Sequence, residues 1–262
     1  MKYLFGAEGE AALAALARAR ALLAFDFDGT LAPIVALPDN ARVSLPVAQR
    51  LQRLAQRLPV AIVSGRRVED IRARVQFEPH YLIGSHGAED PQRGVGAELG
   101  PTLDGVRGRL TQASAALHAL GVLIEDKRES IALHYRLARD RQAALEAIER
   151  LLADLGSDVR VFGGKMVANV VPAGVADKAD AMLDLAARAG VETALFVGDD
   201  LNDEPVFERA PPHWLTVRVG RDGPPSQARY FVHSVKEVPL LLDRLLAALP
   251  AAADLALQSN RV

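Results

Sequence analysis

Ala24 to Leu31 reads Ala-Phe-Asp-Phe-Asp-Gly-Thr-Leu, and it follows directly on the apolar run Ala21-Leu22-Leu23-Ala24-Phe25. Far downstream a second run, Ala194-Leu195-Phe196-Val197, leads into Gly198 to Glu204, Gly-Asp-Asp-Leu-Asn-Asp-Glu. Both runs are continuous rather than alternating, the pattern of strands covered on both faces of a parallel sheet. Ligands of such sheets bind beyond the strand C-termini, where both acidic clusters fall. An α/β fold with a site for a hard cation and a phosphate is therefore expected.

The residue types fit that chemistry. The Asp26 carboxylate can attack phosphorus in line and form an aspartyl-phosphate, dividing hydrolysis into two easier displacements. If the chain stays extended from Asp26 to Asp28, the period of two puts both carboxylates on one side, so that Asp28 can protonate the leaving oxygen. Gly29 and Thr30 supply a turn and backbone N–H groups for phosphate oxygens. An attacking carboxylate and a phosphate are both anionic and need a cation between them; Mg2+ suits a few carboxylate oxygens plus water and phosphate. Asp26 and Asp199 are the expected direct ligands, with Asp28 contributing its backbone oxygen.

In these motifs the chain resembles the haloacid-dehalogenase-like phosphatases and, within them, the trehalose-6-phosphate phosphatases with a cap of the C2B type. Asp26 to Leu31 matches the first superfamily motif and Val63-Ser64-Gly65-Arg66 the second, whose hydroxyl binds phosphate. Lys178 fits the third and Gly198 to Glu204 the fourth. Gly84-Ser85-His86-Gly87-Ala88-Glu89, Glu125-Asp126-Lys127-Arg128-Glu129-Ser130 running on to His134-Tyr135-Arg136, and Gly164-Lys165 followed by Pro172 resemble the trehalose branch. The resemblance implies a doubly wound, Rossmann-like core with an inserted α+β cap, Mg2+ as cofactor, and a sugar phosphate as substrate. It also implies a functional partnership with a trehalose-6-phosphate synthase. Ser64 can also cap a helix, whose N-terminus favours anions at Gly65 and Arg66. Asp200, Asn202 and Asp203 are expected around the cation rather than on it, and His86 near the substrate.

Composition sets the outer limits. The chain has 262 residues, 50% of them hydrophobic, enough to bury a large interior. With 31 basic against 33 acidic residues the net charge is -2, which gives no electrostatic case for nucleic acid or an anionic membrane. The absence of cysteine excludes disulfides, thiolate metal sites and a cysteine nucleophile. Glu8, Glu10, Arg18 and Arg20 interrupt any apolar leader before the first strand, and a cytoplasmic protein is expected.

Strands and helices alternate along the chain. Ser44 and Pro46 open a helix with Val47, Leu51, Leu54 and Leu58 on one face, followed by strands Val60 to Val63 and Tyr81 to Ile83. Pro91, Gly94, Gly96, Gly100 and Pro101 mark a linker. A helix from Leu103 to Leu120 ends at Gly121; strands 122–126 and 131–135, a helix from Asp140 to Leu155 and strands 159–162 and 166–171 follow. Helix-strand-strand twice over predicts an open-faced sheet with helices on one side, inserted as a lid. The expected division is 1–96 core, 97–173 cap and 174–262 core. The core resumes with a helix 177–189, strands 194–197, 215–219 and 230–232, and a final helix with a Ser234/Glu237 capping box. The tail beyond Pro250 is expected to be disordered.

Phosphate and cation account for the core motifs but cannot choose a sugar, so recognition is assigned to the open face of the cap. Glu125 and Lys127 share one face, and Lys165 and Asn169 share one with Val167 between them. The trehalose branch typically carries Glu where this chain has Asn169, often a charge at Val171, Thr at Asn202 and Gly at Ala179. Phosphatases of the same cap class, acting on sucrose phosphate, a glycosyl phosphoglycerate or a monosaccharide phosphate, therefore stay open as alternatives. A noncatalytic phospho-aspartate regulator needs neither Asp28 as an acid nor a lid, and a mutase of this superfamily usually carries its cap soon after the first motif.

Overall fold

The computed structural model describes residues 1–35, 37–93, 100–222 and 224–250. Part of the expected linker, its boundary at 96/97 and the tail beyond Pro250 lie outside them. The chain runs β1 (Lys2–Tyr3), α1 (Ala7–Arg18), β2 (Ala21–Phe25), α2 (Leu45–Ala55), β3 (Val60–Val63), α3 (Val68–Val75) and β4 (Tyr81–Ile83). Then come α4 (Asp104–Ala119), β5 (Leu123–Asp126), β6 (Ile131–His134), α5 (Arg141–Leu152), β7 (Val159–Gly164) and β8 (Val167–Pro172). It closes with α6 (Lys178–Arg188), β9 (Thr193–Gly198), α7 (Glu204–Arg209), β10 (Leu215–Val219), β11 (Tyr230–Val232) and α8 (Val238–Ala248).

Seven strands form a parallel sheet in the order β1-β11-β10-β9-β2-β3-β4. Strand alternation explains why its apolar runs are unbroken. Leu23 and Phe25 join the core under α1, α2, α3 and α8, while Leu22 and Ala24 join a second core with Met182, Leu185 and Phe207 of α6 and α7. The chain leaves β2 in one direction through β3 and β4, and returns as β9 on its other side. Phe25 is level with Val197, and Asp26 N donates to Val197 O at 2.8 Å, so the two acidic loops leave the sheet side by side at a switch point of strand order.

Between β4 and β9 a second, antiparallel sheet has the order β5-β6-β8-β7. Leu110 and Leu117 of α4 and Ile148 and Leu152 of α5 close on Ile131, Leu133 and Val170, giving this cap its own apolar core on one face. The opposite face stays free to meet the parallel sheet. Among the described residues no helix is long and apolar enough to cross a membrane.

Several local expectations need correction. Ser44 stands at the N-cap of α2 but makes no side-chain cap bond. Ser64 does not cap α3, whose N-cap is Arg67; its hydroxyl accepts from Arg66 N at 3.2 Å. Ser234 and Glu237 form no capping box, because Glu237 accepts instead from Tyr3 Oη at 3.0 Å and His233 N at 2.7 Å. Those bonds tie the short edge strand β1 and the loop after β11 to the start of α8.

Candidate active site

Asp26 comes first, because the end of β2 fixes it. Its side chain is buried, and Lys178 Nζ donates to its Oδ1 at 2.7 Å. Lys178 is the first residue of α6, held there by a capping box in which Asp177 accepts from Asp180 N and Asp180 accepts from Asp177 N. Its ammonium also donates to Asp203 Oδ1 at 2.7 Å. Burial works to lower the Lys178 pKa, but the two carboxylates outweigh it and hold the ammonium charged above the ordinary lysine range. Burial also pushes the Asp26 carboxyl well up, against the pull of Lys178.

Asp203 completes the floor. Its Oδ2 accepts from the backbone N–H groups of Asp199 and Asp200 at 2.8 and 3.0 Å, so it shapes the loop after β9 instead of facing the cleft. Asp26, Asp199 and Asp203 form a buried group whose oxygens lie within 4.8 Å of one another. With both Asp203 oxygens bonded, Asp26 and Asp199 are the two that can offer oxygen to a cation. Asp199 Oδ1 is buried and finds no partner among the described residues. Burial raises the Asp199 carboxyl to about 7, with Lys165 opposing and Asp203 adding to the shift. An orphaned carboxylate oxygen beside a second carboxylate is a donor set that fits a hard divalent ion.

The first acidic loop folds into a turn from Phe27 to Ala32. Leu31 N and Ala32 N both donate to Phe27 O, and Gly29 N donates to Ala32 O at 2.7 Å. Gly29 N–H is thus spent inside the turn, and Thr30 is fully buried off the cleft wall. Gly29 has φ +83°, and a Cβ there would lie 1.9 Å from Asp199 Oδ2, so both the turn and the neighbouring carboxylate require glycine. Asp28 nevertheless lines the cleft with Asp26, its two oxygens gripped by Arg66 Nε at 2.6 Å and Nη2 at 2.8 Å. Burial works against the Arg66 charge, but Asp28 and Asp70 outweigh it.

Ser64, Gly65 and Arg66 leave the end of β3 on the same wall as His86. Ser85 and His86 both adopt left-handed backbone, φ 50° and 60°, which holds the imidazole against Gly65; a Cβ on that glycine would lie 2.3 Å from His86 Cε1. Burial, with Lys178 and Lys127 nearby, drives the His86 pKa well below its ordinary value, so the ring is neutral. Its edge-to-face partner is Phe162 of the cap, 4.9 Å between centroids.

The cap supplies the opposite wall. Glu125, Lys127, Lys165, Asn169, Asp200 and Asn202 all line the cleft. Lys165 sits at the tip of the β7–β8 hairpin, where its N–H donates to Asp200 Oδ2 at 2.7 Å and its ammonium meets Asp199 Oδ2. Lys127 Nζ donates to Gly65 O at 3.1 Å and lies 3.5 Å from Glu125 Oε2. Asn169 Nδ2 and Asn202 Oδ1 are buried without a partner among the described residues. Lys178 and Asp203 lie beneath the floor rather than on it.

Two wall residues were quoted in the sequence only as part of a motif and given no role. His134 Nε2 is 2.8 Å from Glu125 Oε2, and Arg136 donates to Val35 O of the core at 2.8 Å. Register could have found the first: His134 pairs with Leu123, two residues from Glu125 on the same face. Ile34, Val35 and Pro38, from the segment after the first acidic loop, line the mouth and carried no signal in the sequence.

The chain is similar to known proteins. A family model described as trehalose-phosphatase matches residues 24–235. The trehalose-phosphate phosphatase of Mycobacterium tuberculosis is 34% identical over 244 residues, which cover 87% of this chain and 62% of that protein. A second protein of that organism, described as an uncharacterized glycosyl hydrolase, is 34% identical over 197 residues, 70% of this chain and 15% of its own length. The chain thus spans less than two thirds of either relative. The structure of the C-terminal domain of Candida albicans trehalose-6-phosphate phosphatase superposes with a TM-score of 0.78, covering 91% of this chain and 96% of that one, at 22% identity. That likeness speaks for the fold alone. The family match takes in both acidic loops, Ser64, Lys178 and the whole cap wall, and by it the chain belongs to the trehalose-phosphatase family.

Proposed function

We propose that the protein is a magnesium-dependent phosphomonoester hydrolase that converts trehalose 6-phosphate to trehalose and phosphate through an aspartyl-phosphate on Asp26. One observation carries the reading: Asp26, Asp28, Ser64 and Asp199 of the core line one cleft with the polar cap residues Glu125, Lys127, Lys165 and Asn169, and Lys178 and Asp203 back Asp26 from beneath. Asp26, Asp199 and the backbone oxygen of Asp28 would hold the cation, and the unpartnered Asp199 Oδ1 favours this. A bound divalent ion lowers the repulsion between carboxylate and phosphate and orients the phosphate for in-line attack.

The remaining work falls to the chain. Lys178 holds the buried Asp26 by its Oδ1 and opposes the burial that disfavours its charge. Asp26 attacks phosphorus, the ester P–O bond breaks, and Asp28 gives its proton to the leaving sugar oxygen. Asp28 then takes a proton from a water that attacks the aspartyl-phosphate, which returns Asp26 as a carboxylate and releases phosphate. The Ser64 hydroxyl binds a phosphate oxygen, and the buried Lys178 ammonium supplies positive charge behind Asp26. Glu125, Lys127, Lys165, Asn169 and His86 bind sugar hydroxyls, with His134 orienting Glu125. The reading brings with it a cytoplasmic location and a partnership with a trehalose-6-phosphate synthase.

A second reading is favoured by Asn169, whose Nδ2 is an unused donor where the family's usual Glu would only accept. On that reading the substrate is another sugar phosphate of the same cap class. Phosphate release from a panel of sugar phosphates with magnesium separates the two. The first expects the highest kcat/KM for trehalose 6-phosphate, and preference for sucrose phosphate, a glycosyl phosphoglycerate or a monosaccharide phosphate overturns it. No release from any of them removes the phosphatase reading altogether.

A further inference from the structure

We propose that Asp70 is a positioning residue for the reaction: through Arg66 it fixes the direction in which the Asp28 carboxylate faces the leaving group. The inference rests on the phosphatase reading above. The two prongs of Arg66 on Asp28 set the plane of the carboxylate as well as its distance. Arg66 is held from behind in turn. Its Nη1 donates to Asp70 Oδ2 at 2.6 Å, its Nη2 also donates to Pro38 O at 2.8 Å, and its Cζ lies 5.2 Å from the centre of the Phe27 ring.

Asp70 has a second holder. Its Oδ1 accepts from Arg74 Nε at 2.7 Å, and Arg74 Nη2 donates to Asp39 Oδ1 at 3.1 Å. Charges therefore alternate from the cleft outward as Asp28, Arg66, Asp70, Arg74 and Asp39. Both guanidiniums are about nine-tenths buried, with side-chain exposures of 10% and 9%, while Asp28 and Asp70 are partly exposed and Asp39 stands in solvent, so the inner rungs are the shielded ones. Asp70 and Arg74 stand one turn apart on α3, which gives the ladder a rigid base. Although burial works to raise it, Arg74 and Arg66 together hold the Asp70 carboxyl below its ordinary range, so the ladder keeps its central anion.

The ladder ends on the group assigned to proton transfer, and proton transfer needs hydrogen-bond reach to the leaving oxygen. Without the Asp70 charge, Arg66 loses its charged anchor opposite Asp28 and is held only by Pro38 O and the Phe27 ring, so the plane it imposes on the Asp28 carboxylate loosens. A ladder that served the fold alone would have no dependence on the leaving group. This difference makes the inference testable with small aryl esters, which use the core and not the cap.

The wild type and Asp70→Asn are compared, with magnesium, on phosphate esters of phenol, p-nitrophenol and 2,4-dinitrophenol. Phenyl phosphate is expected to lose roughly tenfold to a hundredfold in kcat and the dinitrophenyl ester about twofold or less, so that rate falls more steeply with leaving-group pKa in the variant. An equal loss on all three esters, or no loss, overturns the inference. If Asp70→Asn does not fold, Arg74→Gln, which frees the other Asp70 oxygen, is read by the same slopes. A wild type that hydrolyses none of the esters removes the phosphatase reading and the inference together; an active wild type with an unchanged slope in the variant removes the inference alone.

Discussion

Lys178 is the residue on which the two acidic loops converge, and its removal has a calculable consequence. Lys178→Met would leave Asp26 and Asp203 buried without their shared cation. Breaking one side of a buried ion pair costs on the order of 3 to 5 kcal/mol, and denaturant unfolding should show a loss of that size along with nearly complete loss of turnover. A variant as stable as the wild type would mean that the carboxylates do not depend on this lysine. Asp199 gives a pH signature. Its carboxyl lies at about 7 in the folded chain against an ordinary 3.8, chiefly through burial. The native state therefore holds this proton more tightly than the unfolded state, so its contribution to stability is full below about pH 4 and is lost as pH rises through about 7. A cation binds the ionised form, and magnesium should raise the thermal midpoint more at about pH 8 than at about pH 5.5. An equal gain at both pH values would separate this carboxylate from the metal. The placement of Lys178 beside Asp26 was legible in the sequence only from its order between Ser64 and Gly198, since a lysine at a helix start is ordinarily solvated. The contacts that tie Asp28 to Arg66, and Glu125 to His134, were not legible, because they join residues 38 and 9 positions apart whose approach only the folded turn and the strand register define.

At the scale of elements, α6 is the one whose placement the chemistry needs most. Asp177 caps its first turn and so fixes Lys178 beside it. Asp177→Ala should cost about 1 kcal/mol of stability and also lower turnover, because the loosened first turn carries the ammonium; thermal melts and steady-state rates measure the two effects separately. Unchanged turnover with lowered stability would mean that the floor holds Lys178 without the cap. The core strands were readable because each alternation between faces meets a helix layer, which makes the apolar runs continuous. Helices α1 and α7 were not read, and α3 was read only as a helix that Ser64 could cap. The buried face of α1 is Gly9, Leu13, Leu16 and Ala17, with just two large apolar groups, and that of α3 includes Arg74 because its charge is paired inside. Helix α7 has only six residues. The Ser234/Glu237 motif misled for a tertiary reason: Glu237 is drawn to Tyr3, from the other end of the chain.

At the scale of the whole molecule, the contacts that join cap to core at the cleft include Lys127 to Gly65 O, Arg136 to Val35 O, Lys165 to Asp199 and Asp200, and Phe162 to His86. Lys127, Arg136 and Lys165 also line the cleft, so the side chains that would meet a substrate are among those that hold the cap to the core. Lys127→Ala and Lys165→Ala should each impair trehalose 6-phosphate hydrolysis far more than that of p-nitrophenyl phosphate, by on the order of 1 to 3 kcal/mol of transition-state binding per lost hydroxyl contact. Equal losses on both esters would make the cap a lid without a recognition role. Everything above depends on the carboxylate at the end of β2 acting as the nucleophile. The most direct test is turnover of trehalose 6-phosphate by Asp26→Asn at saturating magnesium, beside the wild type, with circular dichroism confirming the fold. The substitution keeps the shape and removes the attacking charge, so turnover is expected to fall by several orders of magnitude while the fold is retained. Retention of more than about a tenth of wild-type turnover would contradict the covalent mechanism.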